Sequence, residues 1–154
     1  MTLHMDGEAN DSQLARASAL AAELRALVGR LRRRLREQAG PGDLTPSQVS
    51  AVLRLEKDGP STTSALARAA GVRPQSMAAV VAALEAAGLV SGAPDPVDGR
   101  RTLLSLTEVC RTLLREGRAA RQDWLTRAVQ QRLSPKEQDE LAAAVRLLGR
   151  LADD

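Results

Sequence analysis

Apolar positions along this chain follow a helical rhythm almost throughout. From Asp11 to about Gln38, Leu14, Ala17, Ala21, Leu24, Val28, Leu31 and Leu35 recur at spacings of three and four, which predicts a helix whose stripe is close to a heptad seam. Gly40-Pro41-Gly42 predicts its end, and Arg32, Arg33, Arg34 and Arg36 fall on the other face. Thr45-Pro46-Ser47-Gln48 opens a second helix: Thr45 can cap, Pro46 suits the first helical position, and Gln48 completes a capping box. Val49, Val52, Leu53 and Leu55 give that helix its apolar face, and Gly59-Pro60 stops it.

A short helix capped by Thr62 and closed by Gly71 follows, carrying Leu66, Ala67 and Ala70. After Arg73-Pro74-Gln75-Ser76 a longer helix runs to about Ala87 and ends at Gly88. Met77, Val80, Val81 and Leu84 stand at i, i+3, i+4 and i+7, so one face is buried. A short helix, a glycine turn and a longer helix make a helix-turn-helix. The rhythm then changes. Leu89–Asp95 and Arg101–Leu106 read as two strands joined by the polar turn Pro96-Val97-Asp98-Gly99-Arg100. Thr107-Glu108 starts another helix through Leu113, Leu114, Trp124, Leu125 and Val129. Ser134-Pro135-Lys136-Glu137 is a second full capping box, opening a last helix with Leu141, Val145, Leu148 and Leu151. Residues 1–10 are expected to form a disordered tail.

The 154 residues suit one compact domain, and the core must be built from Ala, Leu and Val, for there is one Trp and no Phe or Tyr. A net charge of +3 with a pI near 9.9 fits a nucleic-acid partner without requiring one. Cys110 is the only cysteine, so an intrachain disulfide is excluded. There is no run of about 18 apolar residues and no evident signal peptide, so the expected location is the cytoplasm, away from membranes. An enzyme is disfavoured by inventory: the only histidine, His4, lies in the expected tail, and there is no Cys/His cluster, phosphate loop or HExxH helix. No cofactor or metal is expected.

In this order of elements the chain resembles the MarR family of bacterial regulators over residues 12–152. The resemblance is carried by Leu44-Thr45-Pro46-Ser47-Gln48, Ser64-Ala65-Leu66-Ala67, Val72-Arg73-Pro74-Gln75-Ser76, Leu84-Glu85-Ala86-Ala87-Gly88-Leu89-Val90 and, most specifically, the wing string Asp95-Pro96-Val97-Asp98-Gly99-Arg100-Arg101. It implies a mainly α fold with a small β-hairpin wing: a winged helix-turn-helix over 44–107, flanked by dimerisation helices at 11–39 and 108–154. It implies a homodimer on a pseudo-palindromic double-stranded DNA operator, usually as a repressor, and release by a small aromatic or anionic effector.

The recognition helix would read bases through Arg73, Gln75 and Ser76, residue types suited to guanine, adenine and either base or phosphate. Ala79, like Ala78 and Ala83, stands where similar regulators carry larger polar or basic residues, and allows close approach or a thymine-methyl contact. By resemblance, Arg100 would enter the minor groove with Asp98 holding its guanidinium, and Arg101 would reach a phosphate or pair with Asp95. Arg16, Arg25 and Trp124 are candidate effector contacts, although an arginine on a helix is commonly solvated and a single tryptophan is commonly core. Cys110 stands near a helix N-terminus, where a thiol pKa can fall. That allows a redox sensor, against the plainer reading of a small buried hydrophobe. A winged-helix module that binds protein rather than DNA is the remaining alternative, to which Ala78 and Ala79 lend some support.

Overall fold

The computed structural model describes residues 5–38 and 44–153. Its elements run α1 (Met5–Gln38), α2 (Pro46–Asp58), α3 (Thr63–Ala70), α4 (Pro74–Ala86), β1 (Val90–Pro94), β2 (Thr102–Leu106), α5 (Glu108–Arg132) and α6 (Pro135–Ala152). The first helix starts at Met5, six residues before the expected boundary, so residues 5–10 are helix and not a loose tail. Residues 1–4, His4 among them, and the expected stop at Gly40-Pro41-Gly42 lie outside the described residues.

Capping fixes the ends of the middle helices. The Thr45 hydroxyl accepts from the Gln48 N–H at 3.2 Å while the Gln48 side chain accepts from the Thr45 N–H at 3.0 Å. Ser134 and Glu137 repeat the arrangement at α6, where the hydrogen bonds from Ser134 hold the Glu137 carboxyl below its ordinary pKa. Thr62 caps α3 through the Ala65 N–H, and Gly71 (φ +66°) closes it in the left-handed conformation that glycine adopts without strain.

The chain forms two compact units. One holds α1 and the chain from Ala120 onward; the other spans Gly40–Ala119. The second unit therefore extends past the expected limit at residue 107, because the first turns of α5 belong to its core: Cys110 is buried and Leu114 packs against the same cluster. That core gathers Val52 and Leu55 from α2, Leu66 from α3, Met77, Val81 and Leu84 from α4, and Val90, Leu104 and Leu106 from the hairpin. Ala51 and Ala67 are buried with them. These short side chains let helix backbones approach, which is how a unit without aromatic rings closes its interior.

The hairpin is antiparallel, with Val90 opposite Leu106 and Pro94 opposite Thr102. Ser61, between α2 and α3, adds a single bridge to Leu104, its N–H and C=O bonding the Leu104 carbonyl and N–H at 3.1 and 2.8 Å. Gly92 faces the partner strand so closely that a Cβ there would lie 2.8 Å from Thr102 Cγ2. Thr107 joins the end of the α4 segment to α5: its hydroxyl donates to the Gly88 carbonyl at 2.7 Å and accepts from the Cys110 N–H, while its own N–H donates to the Leu89 carbonyl.

Candidate nucleic-acid interface

α4 presents two unlike faces. Met77, Val81 and Leu84 are buried, Val80 is partly so, and Gln75, Ser76, Ala78, Ala79, Ala82 and Ala83 are exposed. Arg73 occupies the N-cap without a side-chain capping bond, and the first backbone bond closed at this end is from the Met77 N–H to the Arg73 carbonyl. The N–H groups of Gln75 and Ser76 thus have no partner inside the helix, and they carry the positive end of its dipole. Arg73, Gln75 and Ser76 lie together at this end, as the sequence expects.

The wing differs from expectation in its ion pairs. Asp98 Oδ2 faces Arg101 Nε at 3.7 Å, and Asp98 Oδ1 accepts from the Arg100 backbone N–H at 3.1 Å. Asp98 therefore does not hold the Arg100 guanidinium. Asp95 does not pair with Arg101 through side chains either: its Oδ1 accepts from the Val97 N–H at 2.9 Å, and its N–H donates to the Arg101 carbonyl. The short turn explains both results. An Asx-type bond to a backbone N–H two residues ahead closes a smaller ring than a reach to a guanidinium, so each acid is consumed locally. Arg100 is left exposed with no ion pair among the described residues.

Between the helix-turn-helix and the wing lies an open cleft of about 670 Å³. Thr63, Ser64, Arg68 and Pro74 form one wall; Arg100, Arg101 and Thr102 form the other. Arg68 escaped the sequence reading because it sits on α3, outside the recognition helix and the wing string. Its position one turn after Ser64 on an exposed face was the available signal. Three guanidinium groups and several hydroxyls facing one cleft, with only Asp98 against them, suit an elongated polyanion.

The other candidates do not gather. Arg16 and Arg25 are exposed on α1. Trp124 is half-buried on α5, and the Arg34 guanidinium lies over its ring at 5.7 Å from the centroid. Arg16 precedes Arg34 by 18 residues of continuous helix, which at 1.5 Å per residue places it about 27 Å along the axis from the residue that touches Trp124. Within one chain these side chains form no common site. Cys110 is 2% exposed, and burial, helped by the charge of Glu56, pushes its thiol pKa up. That is opposite to what a reactive sensor thiol needs, so the redox reading is not supported and the small-hydrophobe reading is.

A two-helix reader with a basic hairpin beside it defines a winged helix-turn-helix of the DNA-binding kind. The model of the MarR family matches residues 42–101. HTH-type transcriptional regulators of Mycobacterium bovis and Mycobacterium tuberculosis are each 39% identical over 135 residues, covering 88% of this chain and 94% of theirs. The crystal structure of a transcriptional regulator from Pseudomonas aeruginosa is 38% identical and superposes with a TM-score of 0.75, over 90% of this chain and 97% of that one. MepR of S. aureus, in a mutant form bound to an oligodeoxyribonucleotide, shares the fold at 18% identity, with a TM-score of 0.70 over 86% of this chain and 97% of its own. The chain belongs to the MarR family, and it is a winged-helix transcriptional regulator. Among the described residues no helix is long and apolar enough to cross a membrane.

Proposed function

We propose that this protein is a repressor that binds a pseudo-palindromic DNA operator as a homodimer. The observation that carries the DNA part is the cleft between α3–α4 and the wing. A recognition helix in the major groove and a hairpin in the adjacent minor groove must straddle one sugar–phosphate ridge, and Arg68, Arg100, Arg101, Thr63 and Ser64 line the space such a ridge would occupy. Arg73, Gln75 and Ser76 then meet base edges. The exposed Ala78, Ala79, Ala82 and Ala83 offer only methyl groups, which favours thymine in the half-site. Arg100, free of Asp98, reaches the minor groove, where a narrow A·T segment concentrates negative potential. That MepR, which shares this fold, is seen bound to an oligodeoxyribonucleotide supports DNA as the partner.

The dimer is supported by apolar surface left open on the α1–α6 unit. Leu14, Leu20, Leu27 and Val28 on α1 and Leu141, Val145, Leu147, Leu148 and Leu151 on α6 are all exposed in the single chain. So much apolar surface on two helices marks an interaction site. Two-fold pairing would set two recognition helices about one DNA turn apart. Release by a small aromatic or anionic effector completes the reading; it rests on the family resemblance, and Arg16, Arg25 and Trp124 from two chains could meet where those of one chain do not.

The test is a mobility-shift titration of the full chain on DNA upstream of its own coding region, followed by footprinting. A protected site with two-fold symmetry supports the reading. Equal affinity for every duplex, with no protected site, overturns it in favour of a protein-binding module.

A further inference from the structure

The apex of the wing carries an apolar side chain whose exposure has no structural reason within the chain. Val97 is 95% exposed, the most exposed of the large hydrophobics among the described residues. Its backbone is not loose. The Val97 N–H donates to Asp95 Oδ1 at 2.9 Å, and the turn is closed by Asp95 N–H to the Arg101 carbonyl and Arg101 N–H to the Asp98 carbonyl. Both apex acids are turned back into the turn, Asp95 onto the Val97 N–H and Asp98 onto the Arg100 N–H and Arg101 Nε. What the apex shows outward is therefore Pro96, Val97, Gly99 and Arg100: an apolar knob and, three residues on, a guanidinium without an ion pair among the described residues, while the Asp95 and Asp98 carboxylates are engaged within the turn. A β-branched side chain on a hydrogen-bonded turn has few rotamers to lose on contact.

We infer that Val97 is a specificity-determining residue that selects A·T over G·C base pairs beneath the wing. This rests on the DNA-binding reading above, with Arg100 in the minor groove. The walls of that groove are apolar sugar faces, which an exposed valine can cover. Its floor carries only acceptors at A·T pairs, whereas a G·C pair adds the guanine 2-amino donor. An isopropyl group pressed to the floor fits the space over A·T. Over G·C it meets the amino group and strips it of water without offering an acceptor. Arg100 attracts the wing to narrow grooves through charge; Val97 excludes the groove that contains the amine through shape.

The test is a fluorescence-anisotropy titration of the full-length protein on operator duplexes in which the pair beneath the wing, located by minor-groove footprinting, is A·T, G·C or I·C. Inosine pairs like guanine but lacks the 2-amino group. Wild type should bind A·T and I·C alike and G·C about tenfold more weakly, a loss of the size expected for one unfavourable pair. Val97→Asn, which can accept from the amine, should bring the three duplexes within about twofold of one another, with the salt slope unchanged because no charge is altered. Persistence of the G·C penalty in Val97→Asn, or an equal loss on all three duplexes, overturns the inference while leaving the DNA-binding reading intact. Should Arg100→Ala bind as tightly as wild type, the wing placement falls, and this inference falls with it.

Discussion

Arg118 on α5 holds Glu56 on α2 with both terminal guanidinium nitrogens: Nη1 lies 2.9 Å from Glu56 Oε2, and Nη2 donates to Oε1. The pair is the one ion pair among the described residues that joins residues far apart in the chain; the other five are three or four residues apart. The Arg118 hydrogen bonds push the Glu56 carboxyl below its ordinary pKa, and Glu56 in turn raises that of Arg118. A carboxyl whose folded pKa lies below its unfolded value of 4.5 contributes stability that is fully present above pH 4.5 and is lost as pH falls through the folded value. Thermal melts followed by circular dichroism should therefore show Glu56→Gln losing less stability than wild type below pH 4.5. At pH 7 the substitution should cost under about 1 kcal/mol, since both side chains are partly exposed. Identical acid profiles would remove the pair as a stability element.

The cleft arginines and Arg73 should separate by their signatures on DNA. Arg68→Ala and Arg100→Ala should each weaken binding to every duplex and reduce the slope of log K against log salt by about 1, the mark of one lost phosphate or groove contact. Arg73→Ala should instead relax discrimination at one base pair, by about 1–3 kcal/mol. Arg101→Ala should exceed the effect of either cleft neighbour only if Asp98, released from Arg101 Nε, turns its charge toward DNA; the double variant with Asp98→Asn should then restore part of the loss. A uniform loss for Arg73→Ala would make it a phosphate contact.

Cys110 should be inert in the folded protein. Its burial and raised thiol pKa keep the thiolate scarce at neutral pH. Intact-mass measurement after iodoacetamide should show no adduct until denaturant is added, and operator affinity should be unchanged after peroxide. Alkylation of the native protein at the rate of a free exposed thiol would reopen the redox reading.

If α6 forms part of the dimer, Leu148→Glu should dissociate it. Leu141, Val145 and Leu148 stand at i, i+4 and i+7, so a carboxylate at the last of them enters the same stripe. Analytical ultracentrifugation should show the wild type as a dimer and the variant as a monomer with a helical circular-dichroism spectrum, because Leu148 is not part of the buried core. A variant that remains dimeric would place the interface elsewhere.

The elements were legible because their ends carry chemistry that acts locally. Thr45-Pro46-Ser47-Gln48 and Ser134-Pro135-Lys136-Glu137 determine their own hydrogen bonds, and Gly71 sits at a left-handed cap. The α4 face was legible for the same reason: period alone puts Met77, Val81 and Leu84 on one side. What sequence missed depends on choices among near neighbours or on distant contacts. Asp98 has several donors within three residues, and only geometry decides that the Arg101 guanidinium and the Arg100 backbone win over the Arg100 guanidinium. The Ser61–Leu104 bridge, the Arg118–Glu56 pair and the cleft position of Arg68 join segments that no local pattern connects. The start of α1 at Met5 was missed because the periodic apolar stripe begins only at Leu14, although an acidic stretch such as Asp6 to Glu8 also suits a helix N-terminus.

Trp124, the chain's only aromatic side chain, gives the protein a single intrinsic fluorophore, and it lies outside the winged-helix unit. With no tyrosine to transfer energy to it and a guanidinium 5.7 Å from its ring, the emission is a report on one place: where Arg34 of α1 meets α5. DNA added to the unlabelled protein therefore cannot alter the signal through a recognition-helix aromatic. Any change in intensity or wavelength on titration would have to originate at the helices around Trp124, so the wild-type chain is already an optical sensor of whether events at the wing are felt there.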